Sequence, residues 1–287
     1  MIIKSPLKWI GGKRKLLEKI KENSPDLKYI DKYVEPFIGG GSIFLHFLEN
    51  YDIDFVINDI NKSLTNFYYS FLSNESYDLL LEHLDELIFE YNEVEDKKDW
   101  YYKLRKLFNC SDYTISKSAK LLIINKLCFN GLYRENKKGE FNSPYGYYKN
   151  PNFYNKENLD EIYNLFQEKN VCVLNNNFYN LLYEINFNEN TFVYLDPPYL
   201  PISSTSKFNA YTRKAFKKLD MLTLRDFIYD VSEKNSKIML SHQCENKEVK
   251  ELLYDLFSDF KFIEVKTKHA VANKNQKDIK EFLILNY

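Results

Sequence analysis

The sequence predicts an α/β fold, a Rossmann-like sheet interrupted by an inserted helical and hairpin segment. Three observations carry this. A short apolar strand runs into the glycines Gly39-Gly40-Gly41. Strand–helix alternation stands on both sides of a long helical stretch. A second apolar strand, Val193-Tyr194-Leu195, stops at Asp196-Pro197-Pro198-Tyr199. Doubly wound sheets place their ligand sites beyond such strand ends.

Each element follows from its pattern. Residues 13–23 have helical spacing, with Leu16, Leu17 and Ile20 on one face. Tyr33-Val34-Glu35 is a short strand entering the glycine turn, and residues 42–48 return as a helix. Residues 54–57 form the next strand, ending at Asn58-Asp59. From residue 62 to about 128 the apolar spacing is helical, most clearly over 77–91 and 117–127. Residues 129–148 break that pattern with Gly131, Gly139, Gly146, Pro144 and alternating aromatics, which predicts a hairpin or an ordered loop. Strands resume at 171–174, 191–195, 237–240, 261–265 and 282–285. The expected organisation is a discontinuous domain, residues 1–61 and 156–287, with an insertion over 62–155.

Composition narrows the function classes. The hydrophobic and charged fractions, 44% and 28%, are those of a soluble globular chain. A net charge of −1 excludes a generally basic nucleic-acid binder, so any such face is local. Basic residues cluster at Lys13/Arg14/Lys15, Lys137/Lys138, Arg213/Lys214/Lys217/Lys218 and Lys266/Lys268/Lys274/Lys277. Each cluster alone is as a rule a solvated face. The four cysteines, Cys110, Cys128, Cys172 and Cys244, have no zinc spacing and suit mostly buried free thiols in a reducing cytoplasm. His46, His83, His242 and His269 have no metal-ligand spacing either, so no metal and no catalytic histidine is expected. No stretch approaches the ~20 apolar residues of a membrane span, and the first ten residues do not form a signal peptide.

Two constellations carry chemistry. Phe37-Ile38-Gly39-Gly40-Gly41 lets the backbone turn sharply and approach a ligand. Asp59 follows eighteen residues beyond Gly41, at the end of the second strand, where a carboxylate can accept from both hydroxyls of a ribose. Together they suit an adenosine-containing cofactor, a logic shared by nucleotide and S-adenosylmethionine sites. In the second constellation, Pro197 and Pro198 hold their carbonyls in a fixed outward geometry. Asp196 can accept one hydrogen of an exocyclic amine and the Pro197 carbonyl the other, while Tyr199 stacks on a purine. Asp220 and Asp226 read as helix-surface charges.

These segments resemble the Dam-type DNA adenine methyltransferases, the D12 class, alpha group. The likeness rests on Pro6-Leu7-Lys8-Trp9-Ile10-Gly11-Gly12-Lys13-Arg14, on Val34-Glu35-Pro36-Phe37-Ile38-Gly39-Gly40-Gly41-Ser42, and on Phe129-Asn130-Gly131-Leu132-Tyr133-Arg134 with Gly139-Glu140-Phe141-Asn142-Ser143-Pro144-Tyr145-Gly146. Asp196-Pro197-Pro198-Tyr199 completes the set in the family's order, and the similarity runs from about residue 6 to the end. The fold it implies is a Rossmann-like S-adenosylmethionine-dependent methyltransferase sheet with an inserted DNA-recognition domain. The activity it implies is methylation of the N6 amino group of a flipped adenine in double-stranded DNA, within GATC.

The resemblance also assigns residues. Trp9, Lys13, Phe37, Gly39, Gly41, Asp59 and Asp196 would hold S-adenosylmethionine. Taken alone, Trp9 reads as core packing and Lys13 as a first-turn surface charge. Asn177-Phe178 stands where the family has an Asp-Phe pair on the cofactor's adenine; an amide can accept the same hydrogen bond, without the charge. Lys8, Asn130, Leu132, Arg134 and Pro144 would read bases, Phe129 would wedge into the stack, and Tyr148 would lie on phosphate or beside the hairpin. The implied partners are double-stranded DNA and a restriction endonuclease acting separately, with the chain a monomer or weak dimer away from any membrane. Three other readings stay open: methylation of cytosine or RNA, a non-catalytic DNA-binding protein retaining the fold, and, from the glycine run alone, a nicotinamide-dependent dehydrogenase.

Overall fold

The computed structural model describes residues 3–9, 11–200, 216–268 and 278–287. Its sheet contains β1 (Lys32–Glu35), β2 (Asp54–Asn58), β3 (Val171–Leu174), β4 (Thr191–Leu195), β5 (Lys237–Gln243), β6 (Lys261–Lys268) and β7 (Asp278–Leu285), in the order β3-β2-β1-β4-β5-β7-β6. The first five strands run parallel; β7 lies antiparallel to both β5 and β6. Chain order reverses between β1 and β4, which opens a crevice at their carboxyl ends. The register sets Val34 opposite both Val56 and Val193, and Gln243 opposite Glu281.

Both faces of the sheet are covered, so its central strands are apolar throughout: all five residues of β4 are buried. On one face Tyr33, Phe55 and Phe192 pack with Phe44 and Phe47. On the other, Val34, Val56, Val193 and Leu195 pack with Phe227. The first face is covered by α1 (Leu17–Asn23), α2 (Ser42–Asn50), α3 (Lys62–Tyr69), α4 (Asn74–Glu93), α5 (Lys97–Cys110), α6 (Ile115–Leu127) and α7 (Lys156–Glu168). The second is covered by α8 (Leu181–Glu184), α9 (Lys218–Ser232) and α10 (Lys247–Leu256). Side-chain caps fix several starts: Asn61, Ser73, Asp96, Asn155 and Asn246 each accept from a backbone N–H of the first turn.

Some expectations change. Residues 13–23 are not one helix but a 3-10 turn, Lys13–Leu16, leading into α1. Strand β5 runs on to Gln243, three residues past the predicted end, and β6 and β7 are also longer. Two cysteines, Cys128 and Cys244, are buried, but Cys110 and Cys172 are exposed. The helices over 62–127 do not stand apart from the sheet, since Leu64, Phe67, Leu121 and Ile124 belong to the same buried cluster as Tyr33 and Phe55. No helix among the described residues is long and apolar enough to cross a membrane. Arg213, Lys214, His269, Lys274, Lys277 and the side chain of Lys268 lie outside the described residues.

Candidate active site

A cavity of about 580 Å³ opens at the carboxyl ends of β1 and β4. Trp9, Lys13, Phe37, Gly39, Gly41, Asp59, Asn177 and Phe178 all line it, and so do Asp196, Pro197, Pro198 and Tyr199. Twelve predicted positions, drawn from five separate segments, therefore share one space.

The glycine loop is built by close approach. Gly41 caps α2 in the left-handed region (φ 71°), where a Cβ would stand 2.1 Å from the Tyr68 hydroxyl. A Cβ on Gly40 would stand 2.7 Å from the Trp9 Cβ. Any side chain here would displace Trp9 or the loop, so the sequence leaves these positions bare. The loop also holds Asp59: Gly39 N donates to Oδ2 at 3.1 Å and Asn61 N to Oδ1 at 2.8 Å. Burial nevertheless raises the Asp59 carboxyl to about 6, against the pull of those N–H groups. Phe37 and Phe178 form an aromatic wall, ring centroids 5.2 Å apart. A carboxylate beside a glycine cradle and aromatic walls fits an adenosine-bearing group with ribose hydroxyls. The Asn177 Oδ1 already accepts from Tyr179 N at 3.1 Å, capping a short 3-10 turn. The second lone pair of that oxygen and the amide N–H₂ remain to Asn177.

At the other end of the cavity, Asp196 follows directly on β4. The Lys13 ammonium lies 2.7 Å from Asp196 Oδ1, donates to the Tyr199 hydroxyl at 2.5 Å, and sits 4.7 Å from that ring's centroid. Lys13 is only 4% exposed, so it is no surface charge. Burial opposes its proton, but Asp196, Tyr199 and Glu281 overcome this and hold it above the ordinary lysine range. Burial raises the Asp196 carboxyl, while Lys13 and a hydrogen bond from Ser241 Oγ (3.2 Å) pull it back.

Four further residues complete this end, and sequence reasoning missed them as site residues. Glu35, at the end of β1, is buried, accepts from the Tyr33 hydroxyl at 2.6 Å and is pushed up by burial. Ser241 and His242 lie on the unpredicted extension of β5. His242 is driven down to about 4 by burial; its Nδ1 faces the Gln243 carbonyl at 2.9 Å, and its ring lies 5.3 Å from that of Tyr199. Glu281 arrives from β7, with Oε2 3.5 Å from the Lys13 ammonium. The polar triplet Ser-His-Gln after Leu240 was the one available signal that β5 continued into the site.

The predicted hairpin is an excursion closed by two isolated bridges, Cys128 with Tyr145 and Glu135 with Phe141. Phe129 N donates to the Pro144 carbonyl at 2.9 Å, and Asn130 adopts a left-handed φ of 54°. Phe129, Asn130, Arg134 and Pro144 are exposed, whereas Leu132 is half-buried. The Arg134 Nε donates to Asn142 Oδ1 at 2.7 Å. Lys8 joins this group: its ammonium lies 4.6 Å from the Tyr148 ring centroid, and its backbone is clamped by Asn125, which accepts from Lys8 N at 2.7 Å and donates to Lys8 O at 2.9 Å. The Trp9 ring packs tilted against Tyr133, centroids 5.0 Å apart, which joins the hairpin to the cavity wall. Asp226 is exposed and paired with Arg225, as a surface charge should be. Asp220 instead accepts from Lys217 N at 2.7 Å and borders the cavity.

Comparison with known proteins agrees with this architecture. The family of D12 class N6 adenine-specific DNA methyltransferases matches residues 9–271. A type II methyltransferase of Methanocaldococcus jannaschii is 37% identical, with all of both chains covered. A type II methyltransferase of Lactococcus lactis subsp. cremoris is 34% identical over 98% of this chain and 94% of its own. A DNA adenine methylase of Vibrio cholerae is 36% identical over 80% of this chain and 76% of its own. With the seven-stranded sheet and the cavity at its switch point, these matches show that the chain belongs to the D12 class, S-adenosylmethionine-dependent enzymes that methylate the N6 amino group of adenine in DNA.

Proposed function

We propose that the enzyme methylates adenine within GATC in double-stranded DNA, on a base flipped into the 580 Å³ cavity. The observation that carries this is the convergence of the Asp196–Tyr199 segment and the glycine loop with Asp59 on one space. Trp9, Phe37, Asp59, Asn177 and Phe178 line the cofactor's part of it, and the bare backbone of Gly39 and Gly41 makes room. Bound there, S-adenosylmethionine supplies a methyl group already activated on sulfur. The chain's own residues prepare the acceptor. Asp196 and the Pro197 carbonyl take the two hydrogens of the target amine, Pro198 keeps that turn rigid, and Tyr199 stacks on the base. Adenine's amine is a weak nucleophile because its lone pair is shared with the ring. Two acceptors localise that pair and stabilise the positive charge that develops on nitrogen. Unstacking the base costs a few kcal/mol, met by DNA contacts elsewhere.

Apart from Lys8, those contacts belong to residues 62–155, a DNA-recognition insertion in a catalytic domain of residues 1–61 and 156–287. Arg134 and Lys8 address guanines, Leu132 and Pro144 a thymine methyl, Asn130 a base edge, Phe129 the gap left in the stack, and Tyr148 the backbone. The type II names of two relatives support a place beside a restriction endonuclease acting separately, and we take the chain to work in the cytoplasm as a monomer or weak dimer. Family membership sets aside the cytosine, RNA, nicotinamide and non-catalytic readings. The test is sequencing of modified adenines in DNA from cells expressing the chain, with Asp196→Ala as control. N6-methyladenine confined to GATC, and none with Asp196→Ala, is expected. Methylation at another sequence overturns GATC; full methylation by Asp196→Ala overturns the mechanism.

A further inference from the structure

Glu281 poses a question that the roles above leave open. It is only 7% exposed, yet its Oε2 is buried without a hydrogen-bond partner. An unmet carboxylate oxygen in a protein interior is costly and calls for an explanation. Its nearest cation is the Lys13 ammonium at 3.5 Å, and that ammonium is engaged elsewhere: on Asp196 Oδ1 at 2.7 Å, on the Tyr199 hydroxyl at 2.5 Å and on the Gly11 carbonyl at 3.2 Å.

Engagement with Asp196 conflicts with the chemistry. Asp196 Oδ1 already receives Lys13 and Ser241, so a target amine donating to this carboxylate shares it with a cation. A lysine held on the same carboxylate also opposes the positive charge that grows on the amine during transfer, and burial of Lys13 strengthens the effect. Lys13 therefore needs a second anion within reach. Glu281 supplies one. Closing from 3.5 Å to the 2.7–2.9 Å of a charge-assisted hydrogen bond takes a shift of under about 1 Å. The antiparallel strand β7, wedged between β5 and β6, is what delivers this carboxylate to the end of the parallel sheet.

We propose that Glu281 is a positioning residue for methyl transfer: it takes the Lys13 ammonium when Asp196 takes the target amine. This rests on Asp196 being the amine's acceptor. The exchange makes and breaks no covalent bond; one ion pair is exchanged for another.

The first test uses the wild-type chain, crystallised with a GATC duplex and S-adenosylhomocysteine. The expected result is Lys13 Nζ within 3 Å of Glu281 and out of hydrogen-bond range of Asp196; Lys13 still bonded to Asp196 beside the flipped adenine overturns the proposal. The second is a single-turnover cycle. Glu281→Gln should slow transfer about tenfold while the affinities for cofactor and duplex stay within about twofold, and Glu281→Asp should recover part of the rate. The double variant Lys13→Met/Glu281→Gln should be no slower than Lys13→Met, because the two act as a unit. A wild-type rate for Glu281→Gln, or deficits that multiply in the double variant, overturns it. Should Glu281→Gln fail to fold, the wild-type complex decides. An active Asp196→Ala would remove the reading on which this rests, whereas failure of the Glu281 tests leaves that reading standing.

Discussion

Asp59 illustrates how one side chain can answer to pH in two opposite senses. Burial places its folded carboxyl at about 6, above the 3.8 of a free aspartic acid. The folded state thus holds the proton more tightly than the unfolded chain. The stability this contributes is fully present below 3.8 and is lost as pH rises through 6. In the proposed site, cofactor binding has the other sign, since there the ribose hydroxyls donate to the ionised carboxylate. S-adenosylmethionine affinity, measured by calorimetry from pH 5 to 8, should fall as pH drops through 6, by up to about tenfold per unit, and Asp59→Asn should be weaker and flat there. A flat wild-type profile would separate Asp59 from the cofactor. Asp59 was legible in the sequence because it ends a strand at a fixed distance from a glycine run, and Asp196–Tyr199 because it is contiguous. Glu281 and Ser241 were not. They meet Asp196 only through the pairing of β5 with β4 and β7, contacts between residues about 40 to 85 apart that no local pattern announces.

At the scale of elements, apolar content decided what could be read. Strands β3 and β4 match their predicted limits because turn residues bound both runs. Strand β5 was cut short because Ser241 and Gln243 break the apolar run, although the backbone stays extended to present Ser241 to Asp196. Helices α3 and α5 were seen only as a helical region, and α6 is buried on nearly every side, which weakens its periodicity. The hairpin was recognised by its breakers, but its support was hidden: Asn125, fully buried, ties the Lys8 backbone to α6, and Tyr101 donates to the Ser143 carbonyl at 2.9 Å. That support keeps Arg134 exposed yet held by Asn142. Arg134→Ala should therefore lose discrimination at one base pair, about 1–3 kcal/mol, with little loss of stability. Methylation rates on duplexes differing at each GATC position would show it; an unchanged ranking would remove Arg134 from the reading set.

Across the whole molecule, a near-neutral chain has to engage a polyanion. With a net charge of −1, attraction must come from a local face. The first core joins the helices over 62–127 and the hairpin to the sheet, so a face on them is mounted on the same body as the cavity. One basic pair there is Lys137 and Lys138, exposed at the hairpin tip, where Gly139 N closes a turn on the Asn136 carbonyl at 2.9 Å. Exposed lysines on a turn beyond Arg134, the proposed base reader, are placed to grip phosphate. Each phosphate neutralised contributes about −0.9 to the slope of log affinity against log salt. Lys137→Gln/Lys138→Gln should accordingly reduce that slope by up to about 1.8, weaken binding to all duplexes alike, and leave the methylated sequence unchanged. Fluorescence anisotropy across a salt series measures it. An unaltered slope would place the hairpin tip away from the DNA backbone. A changed target sequence would mean that the tip reads bases, and the division between a reading segment at the hairpin's base and a gripping segment at its tip would fail.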